Sequence, residues 1–268
     1  MNDSVADNGR GASSPWRGID LSGITIVLGI GTGRQIELLN RQIAASGGNL
    51  LVLTADRAHL GAVLPLRADG PLTPILGRTR HIPVLSETVD LLVVNGVLRE
   101  VPARRLRSVA EEMWRVLVPG GRLRISDIIE PTEAEDHRAW SERNRIVRKL
   151  ADSLDRPTAL SVDLPTAATA LQEAGFQNLG LSFLPGYALT DAWLEETVNA
   201  MRTMASRLVD RQVRHEIVKQ DLSALVDAYA AGQQRAPQRF VLQGSKPGDL
   251  VLDMEASFTE EDLLDTED

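Results

Sequence analysis

The run Ile24-Thr-Ile-Val-Leu28, apolar but for Thr25 and expected as a strand from Thr25 to Leu28, is driven straight into glycines at 29, 31 and 33 and constrains this 268-residue chain more than any other feature. Such a run reads as a strand buried on both faces, the mark of a parallel sheet covered by helices. The next stretch, Arg34 to Ala45, is apolar at Ile36, Leu38, Leu39 and Ile43. That spacing is helical, and Gly47-Gly48 ends it. Strand, glycine turn and helix in succession make a phosphate- or cofactor-facing unit. The alternation continues along the chain and defines an α/β, doubly wound class. Strands are expected at Leu50 to Leu53, Asp90 to Val94, Arg122 to Ile125, Leu179 to Phe183 and Arg239 to Gln243. A short one is expected at Pro74 to Leu76, inside a proline- and glycine-rich stretch from Pro65 to Pro83. Helices are expected at Ala103 to Leu117, Glu133 to Leu154, Thr166 to Ala174 and, as one long stretch, Asp191 to about Ala231. Pro119-Gly120-Gly121 reads as the turn between a helix and the strand after it.

The net charge of −8 sits almost wholly at one end. Asp253 to Asp268 carries eight acids and no base, leaving 29 acids against 29 bases elsewhere. Residues 249–268 therefore read as an acidic disordered tail, and residues 1–20 as a flexible leader around a domain at 21–248. The neutral body offers no basic face for nucleic acid. No apolar run reaches the roughly 20 residues that span a bilayer, and the leader has no apolar core of a signal peptide, so a cytoplasmic location is expected. Without cysteine there are no disulfides or thiolate metal sites, and four scattered histidines suggest no metal.

Three segments carry a resemblance. They are Val89-Asp-Leu-Leu-Val-Val-Asn-Gly-Val-Leu98, then Met113-Trp-Arg-Val-Leu-Val-Pro-Gly-Gly-Arg-Leu-Arg-Ile-Ser-Asp127, then Leu171-Gln-Glu-Ala-Gly-Phe176. Together they resemble class I S-adenosylmethionine-dependent methyltransferases, most of all the small-molecule branch with quinone-type and arsenite-type enzymes. The resemblance covers roughly residues 22 to 185 and resumes near Phe240. It implies a Rossmann-like, seven-stranded sheet whose last strand is antiparallel, with a helical insertion at about 191–232 before that strand. Ligand would sit at the carboxyl ends of the first, second and fourth strands.

The resemblance also places the cofactor residues. In the family an acid ends the first strand before G-x-G-x-G; here Gly29 stands at that acid, while Gly31 and Gly33 keep the turn. A second acid, which takes the ribose hydroxyls, aligns with Thr54, with Asp56 two residues on as a substitute. A third, which receives the adenine amino group, aligns with Arg78, a donor-only side chain. Asn95 ends the fourth strand beside the place of methyl transfer.

Binding of S-adenosylmethionine is thus possible but doubtful. The favoured expectation is a pseudo-methyltransferase serving as a scaffold or partner subunit, in a homodimer or heteromer. The alternative is an active methyltransferase acting on a small molecule. Under the first, restoring Gly29→Asp and Thr54→Asp is expected to raise cofactor affinity. Arg99 and Glu100 form either a surface pair or part of the pocket wall. Asp127 reads as structural; Trp140 and His137 belong either to a lid or to a core or interface. The amphipathic helices of the insertion either pack on the domain or supply a protein-partner surface.

Overall fold

The computed structural model describes residues 19–29, 33–55, 57–129, 135–155, 158, 160 and 162–248. Gly31, Asp56, the acidic tail and nearly all of the expected leader lie outside the described residues; Ile19, within that leader, packs on the core. Seven strands form one sheet: β1 (Ile24–Leu28), β2 (Asn49–Thr54), β3 (Leu72–Leu76), β4 (Val89–Asn95), β5 (Leu117–Ile128), β6 (Gln177–Leu184) and β7 (Arg239–Ser245). Their order is β3-β2-β1-β4-β5-β7-β6. Strands β1 to β5 run parallel, and β7 pairs antiparallel with both β5 and β6. The expected doubly wound sheet with its antiparallel last strand is the one observed.

Alternation along the strands divides the core in two. Ile26, Leu28, Leu92 and Val94 face one helical layer, α3 (Leu106–Val116) and α5 (Leu164–Glu173). Val27, Leu91 and Val93 face the other, led by α1 (Gly33–Ser46), with a short α2 (Arg57–Val63) beyond it. Each fully buried Leu, Ile or Val on these faces contributes about 1.5–3 kcal/mol, which is why a run without polar alternation becomes a central strand. On α1 the buried apolar residues are Ile36, Leu39 and Ile43, one helical stripe; Leu38 falls off it and is 48% exposed. Arg115 ties α3 to the loop before β4, donating to the carbonyls of Ile82 and Val84 at 3.0 Å each.

Sequence boundaries shift where glycine or a cap intervenes. Pro119-Gly120-Gly121 does not separate helix from strand. It is a bulge inside β5, with Gly120 at φ +80° and a register slip opposite Val89 and Leu91. The long stretch from Asp191 is three helices: α6 (Asp191–Ala205), α7 (Arg211–Glu216) and, after a π turn at Ile217–Asp221, α8 (Leu222–Ala230). Asp210 makes the break by accepting from the backbone N–H of Gln212 and Val213, a capping geometry that stops one helix and starts another. These helices pack on α4 (Arg138–Ser153) and build a third apolar cluster from Trp140, Ile146, Leu150, Met201, Leu208, Ile217, Leu222 and Leu225.

Candidate functional site

Register brings the expected cofactor positions together. Leu28 pairs with Leu53 on one side and Val94 on the other, so Gly29, Thr54 and Asn95 lie side by side at one edge of the sheet. Gly33 opens α1 just beyond. Arg78 follows β3, exposed and bridged to His81. Gly31 and Asp56, as noted, are not among the described residues.

The geometry at Gly29 corrects one expectation. Its φ is +81°, and a Cβ built there would lie 2.4 Å from the Asn95 carbonyl oxygen and 2.6 Å from Val97 Cγ2. Its N–H leans on the Leu53 carbonyl at 3.4 Å. An acid therefore cannot simply be restored at this position, because left-handed backbone and the neighbouring strand both exclude a side chain. Thr54 is 5% exposed, and its carbonyl accepts from the Gly77 N–H at 3.0 Å. A buried threonine does not present the paired acceptors a ribose diol needs. Gly33, by contrast, has no atom within 4 Å of a built Cβ. Gly29, Thr54 and Asn95 thus share one edge of the sheet, and none of the three carries a carboxylate.

Charge gathers instead at the ends of β4 and β5. Asp127 is buried; its carboxylate accepts from the backbone N–H of Ile128 at 2.8 Å and of Arg99 at 3.2 Å. Arg99 Nε stands 3.6 Å from the same carboxylate, and the guanidinium lies over Gly96, which turns at φ +65°. Burial pushes the Asp127 carboxyl above its usual range, against the pull of Arg99. Asp127 is thus the structural acid expected, clamping the turn after β4. Glu100 is exposed, yet desolvation by the surrounding protein raises its carboxyl, opposed by Arg99. Arg99 and Glu100 therefore line this end of the sheet rather than standing as an isolated surface pair.

Sequence reasoning missed two members of this region, Arg143 and Arg239. Arg143, on α4, lies 5.1 Å over the Trp140 ring. Burial pushes its guanidinium down to about 10, the like charge of Arg99 adding to the effect. In sequence it is one arginine among many in a charged helix, without a distinguishing signal. Arg239 opens β7, 5.5 Å from the centre of the Tyr187 ring. Trp140 is 4% exposed and stacks on Trp193 at 6.0 Å, so it belongs to the helical core and not to a lid. His137 begins the same helix with Nδ1 buried and unpartnered among the described residues. No group of three or more metal-ligating side chains occurs among the described residues, and no described helix is long and apolar enough to cross a membrane.

A methyltransferase-domain family model matches residues 26–125. Two curated relatives are an arsenite methyltransferase of Halobacterium salinarum, 31% identical over 102 residues, covering 38% of this chain and 23% of that protein, and a ubiquinone/menaquinone biosynthesis C-methyltransferase of Syntrophotalea carbinolica, 28% identical over 118 residues, covering 43% and 49%. The chain thus spans half the length or less of the relatives it matches. Among solved structures, the YcgJ protein of Bacillus subtilis superposes with a TM-score of 0.52 at 13% identity, covering 84% of this chain and 92% of its own. A phosphoethanolamine N-methyltransferase of Haemonchus contortus gives 0.52 at 14%, covering 84% and 49%. The [4+2]-cyclase SpnF gives 0.50 at 14%, covering 84% and 75%. At these identities the structures speak to the fold alone, and they agree on it with the strand order, the antiparallel β7 and the matched segment. The chain therefore has a methyltransferase-like fold, and its residues 26–125 are similar to the methyltransferase-domain family.

Proposed function

We propose that this chain is a methyltransferase-fold protein that does not use S-adenosylmethionine as a methyl donor and serves as a scaffold or partner subunit. The observation that carries this reading is Gly29, whose left-handed backbone sits against the Asn95 carbonyl and leaves no room for the acid that the family places there. Thr54, buried and without a carboxylate, deepens the deficit at the ribose position. Each missing charge-assisted hydrogen bond costs about 1.5–3 kcal/mol of binding, so two together weaken the cofactor by two to four powers of ten, as an order of magnitude. A shared fold does not fix the reaction, and the likeness to a [4+2]-cyclase is consistent with that rule.

A second reading keeps an active methyltransferase acting on a small molecule. It is favoured by the open space at Gly33 and by the half-buried Asn95 at the end of β4, because methyl transfer draws much of its rate from orientation alone. Calorimetric titration with S-adenosylmethionine and with its demethylated product separates the two. The scaffold reading expects no saturable heat up to about 1 mM of either; a micromolar dissociation constant for either compound overturns the first reading.

The partner surface assigned to residues 191–232 belongs to the same proposal. Most of its apolar residues are spent on α4, while Val209 and Val226 stand exposed at 97% and 42%. Light scattering after size exclusion, on the full chain and on Val226→Lys, is expected to show association that the substitution weakens. A monomer in both cases removes self-association from the proposal.

A further inference from the structure

The two edges of the sheet are finished differently. β3 closes one edge and carries Pro74 at its centre, a residue that cannot donate to a further ladder. β6 closes the other with Gln177-Asn-Leu-Gly-Leu-Ser-Phe-Leu184, which holds neither a charged residue nor a proline. Charges and prolines are the usual devices that keep an edge strand from pairing again. The irregularity of β6, a register shift between Gln177 and Gly180, lies at its start and leaves residues 180–184 regular. There Leu181 pairs with Leu242 and Phe183 with Phe240, both of the buried core. The apolar face of the sheet thus runs on into β6, yet Leu181 is 47% exposed and Phe183 50%. Among the described residues no strand pairs with the outer side of β6, so backbone donors and acceptors stand open beside two half-covered apolar side chains.

The chain itself supplies a segment of complementary pattern. Beyond Gly248, apolar residues recur at every second position, Leu250, Leu252, Met254, Ala256 and Phe258, and between the last four stand Asp253, Glu255 and Ser257. A period of two is the pattern of a strand with one apolar face, and its acids supply the edge charge that β6 lacks. The exit point suits this use. Ser245 pairs with Gln177 at the start of β6, and a Cβ built on Gly248 would lie 3.8 Å from the Gly120 nitrogen of β5. The chain therefore leaves at the end of the sheet where β6 begins. From the line of β7 to the outer side of β6 is two strand spacings, about 10 Å, and residues 249–252 span about 13 Å when extended.

Patch size selects the occupant. The open parts of Leu181 and Phe183 amount to on the order of 200 Å², against about 800 Å² per partner in a stable association of separate molecules. A tethered segment needs far less, because its effective concentration is about millimolar.

We propose that residues 253–258 of the same chain add to the outer edge of β6 as a further, parallel strand, with Met254, Ala256 and Phe258 on the face of Leu181 and Phe183 and with Asp253 and Glu255 on the other. The tail thereby caps the one sheet edge that carries no protection of its own. This assignment uses neither the glycine-turn residues nor residues 191–232, and it does not rest on the scaffold reading.

Residue-resolved hydrogen exchange by NMR on the full-length protein tests it. Those amides of residues 180–184 that do not bond to β7 face the open edge. They are expected to exchange at least about tenfold more slowly than an unstructured chain, and equally so at about 10 µM and about 1 mM protein. Met254→Asp combined with Phe258→Asp is expected to remove that protection while β5 and β7 keep theirs, which reports that the variant is folded. Leu263→Asp combined with Leu264→Asp, the same change of charge further along the tail, is expected to leave it in place. Unprotected edge amides in the parent protein overturn the proposal, as does protection that survives the change at Met254 and Phe258. Protection that grows with protein concentration also overturns it and assigns the edge to a second copy.

Discussion

Replacing Gly29 with alanine forces a Cβ to 2.4 Å from the Asn95 carbonyl oxygen at a backbone φ of +81°. The left-handed conformation alone costs an L-residue about 1–2 kcal/mol, and the collision with backbone adds to it. Gly29→Ala is therefore expected to lower the stability of the protein by about 2–4 kcal/mol, read as an earlier urea midpoint with an unchanged slope. Gly29→Asp should lose at least as much and gain no calorimetric response to S-adenosylmethionine. An alanine variant as stable as the parent would mean that the end of β1 has room for a side chain, and the scaffold reading would lose its main support. The lost acid at this position is legible in the sequence. The reason it cannot return is not, because it depends on where β4 places the Asn95 carbonyl. Arg143 and Arg239 were illegible for a related reason: their meaning comes from Tyr187 and Trp140, which reach them from other elements. Asp127 was readable as a backbone clamp, since an acid ending a buried strand finds exposed amides in the turn beside it.

The sheet's elements were readable because the central strands β1, β2 and β4 each carry a short, mostly apolar run. Helices of the insertion were readable as helical but not as three, since apolar spacing continues across the cap at Asp210 and the π turn. That turn has its own chemistry. Asp221 is buried, and its carboxylate accepts from Arg145 Nη1 and Lys149 Nζ, each at 2.9 Å. Lys149 also meets Glu216, and Arg145 meets Glu142. Burial pushes the Asp221 carboxyl up, but the hydrogen bonds from Lys149 and Arg145 outweigh it and hold the group below the ordinary carboxylate range. A depressed pKa in the folded state means that this contribution is complete above the unfolded value of about 3.9 and is lost as pH falls below it. Asp221→Asn is thus expected to cost about 1–2 kcal/mol at neutral pH, discounted for the solvent around Arg145. The gap between variant and parent should close as pH falls from about 4 toward 3. Urea unfolding at a series of pH values checks this; a gap that stays constant down to pH 3, or no loss at pH 7, is inconsistent with a stabilising carboxylate.

At the scale of the whole molecule there are two apolar bodies, the sheet with its covering helices and the helical layer of α4, α6, α7 and α8. The partner-subunit reading depends on how firmly the second is held against the first, since its proposed surface lies on the second. One side chain joins them in a way that can be tested singly. Gln234, 5% exposed on the segment entering β7, accepts from the Ala139 N–H at 2.9 Å and donates to the Glu135 carbonyl at 3.2 Å. It thereby satisfies orphan backbone groups at the start of α4, where a helix has no partners of its own. The same segment also pairs Arg235 N–H with the Asp136 carbonyl at 2.7 Å and Leu189 N–H with the Gln234 carbonyl at 2.8 Å. Gln234→Ala leaves the buried Ala139 N–H unpaired, at about 1–3 kcal/mol, and removes the part-buried bond to the Glu135 carbonyl. Because the two cores are separate clusters, the loss should appear as local opening and not as uniform weakening. Hydrogen exchange is expected to quicken at residues 135–150 and 191–230, while β1, β2, β4 and β5 keep their protection. Parallel acceleration in those strands would show instead that sheet and helical layer unfold as one unit, in which case the partner surface is positioned by the whole fold and not by this one amide.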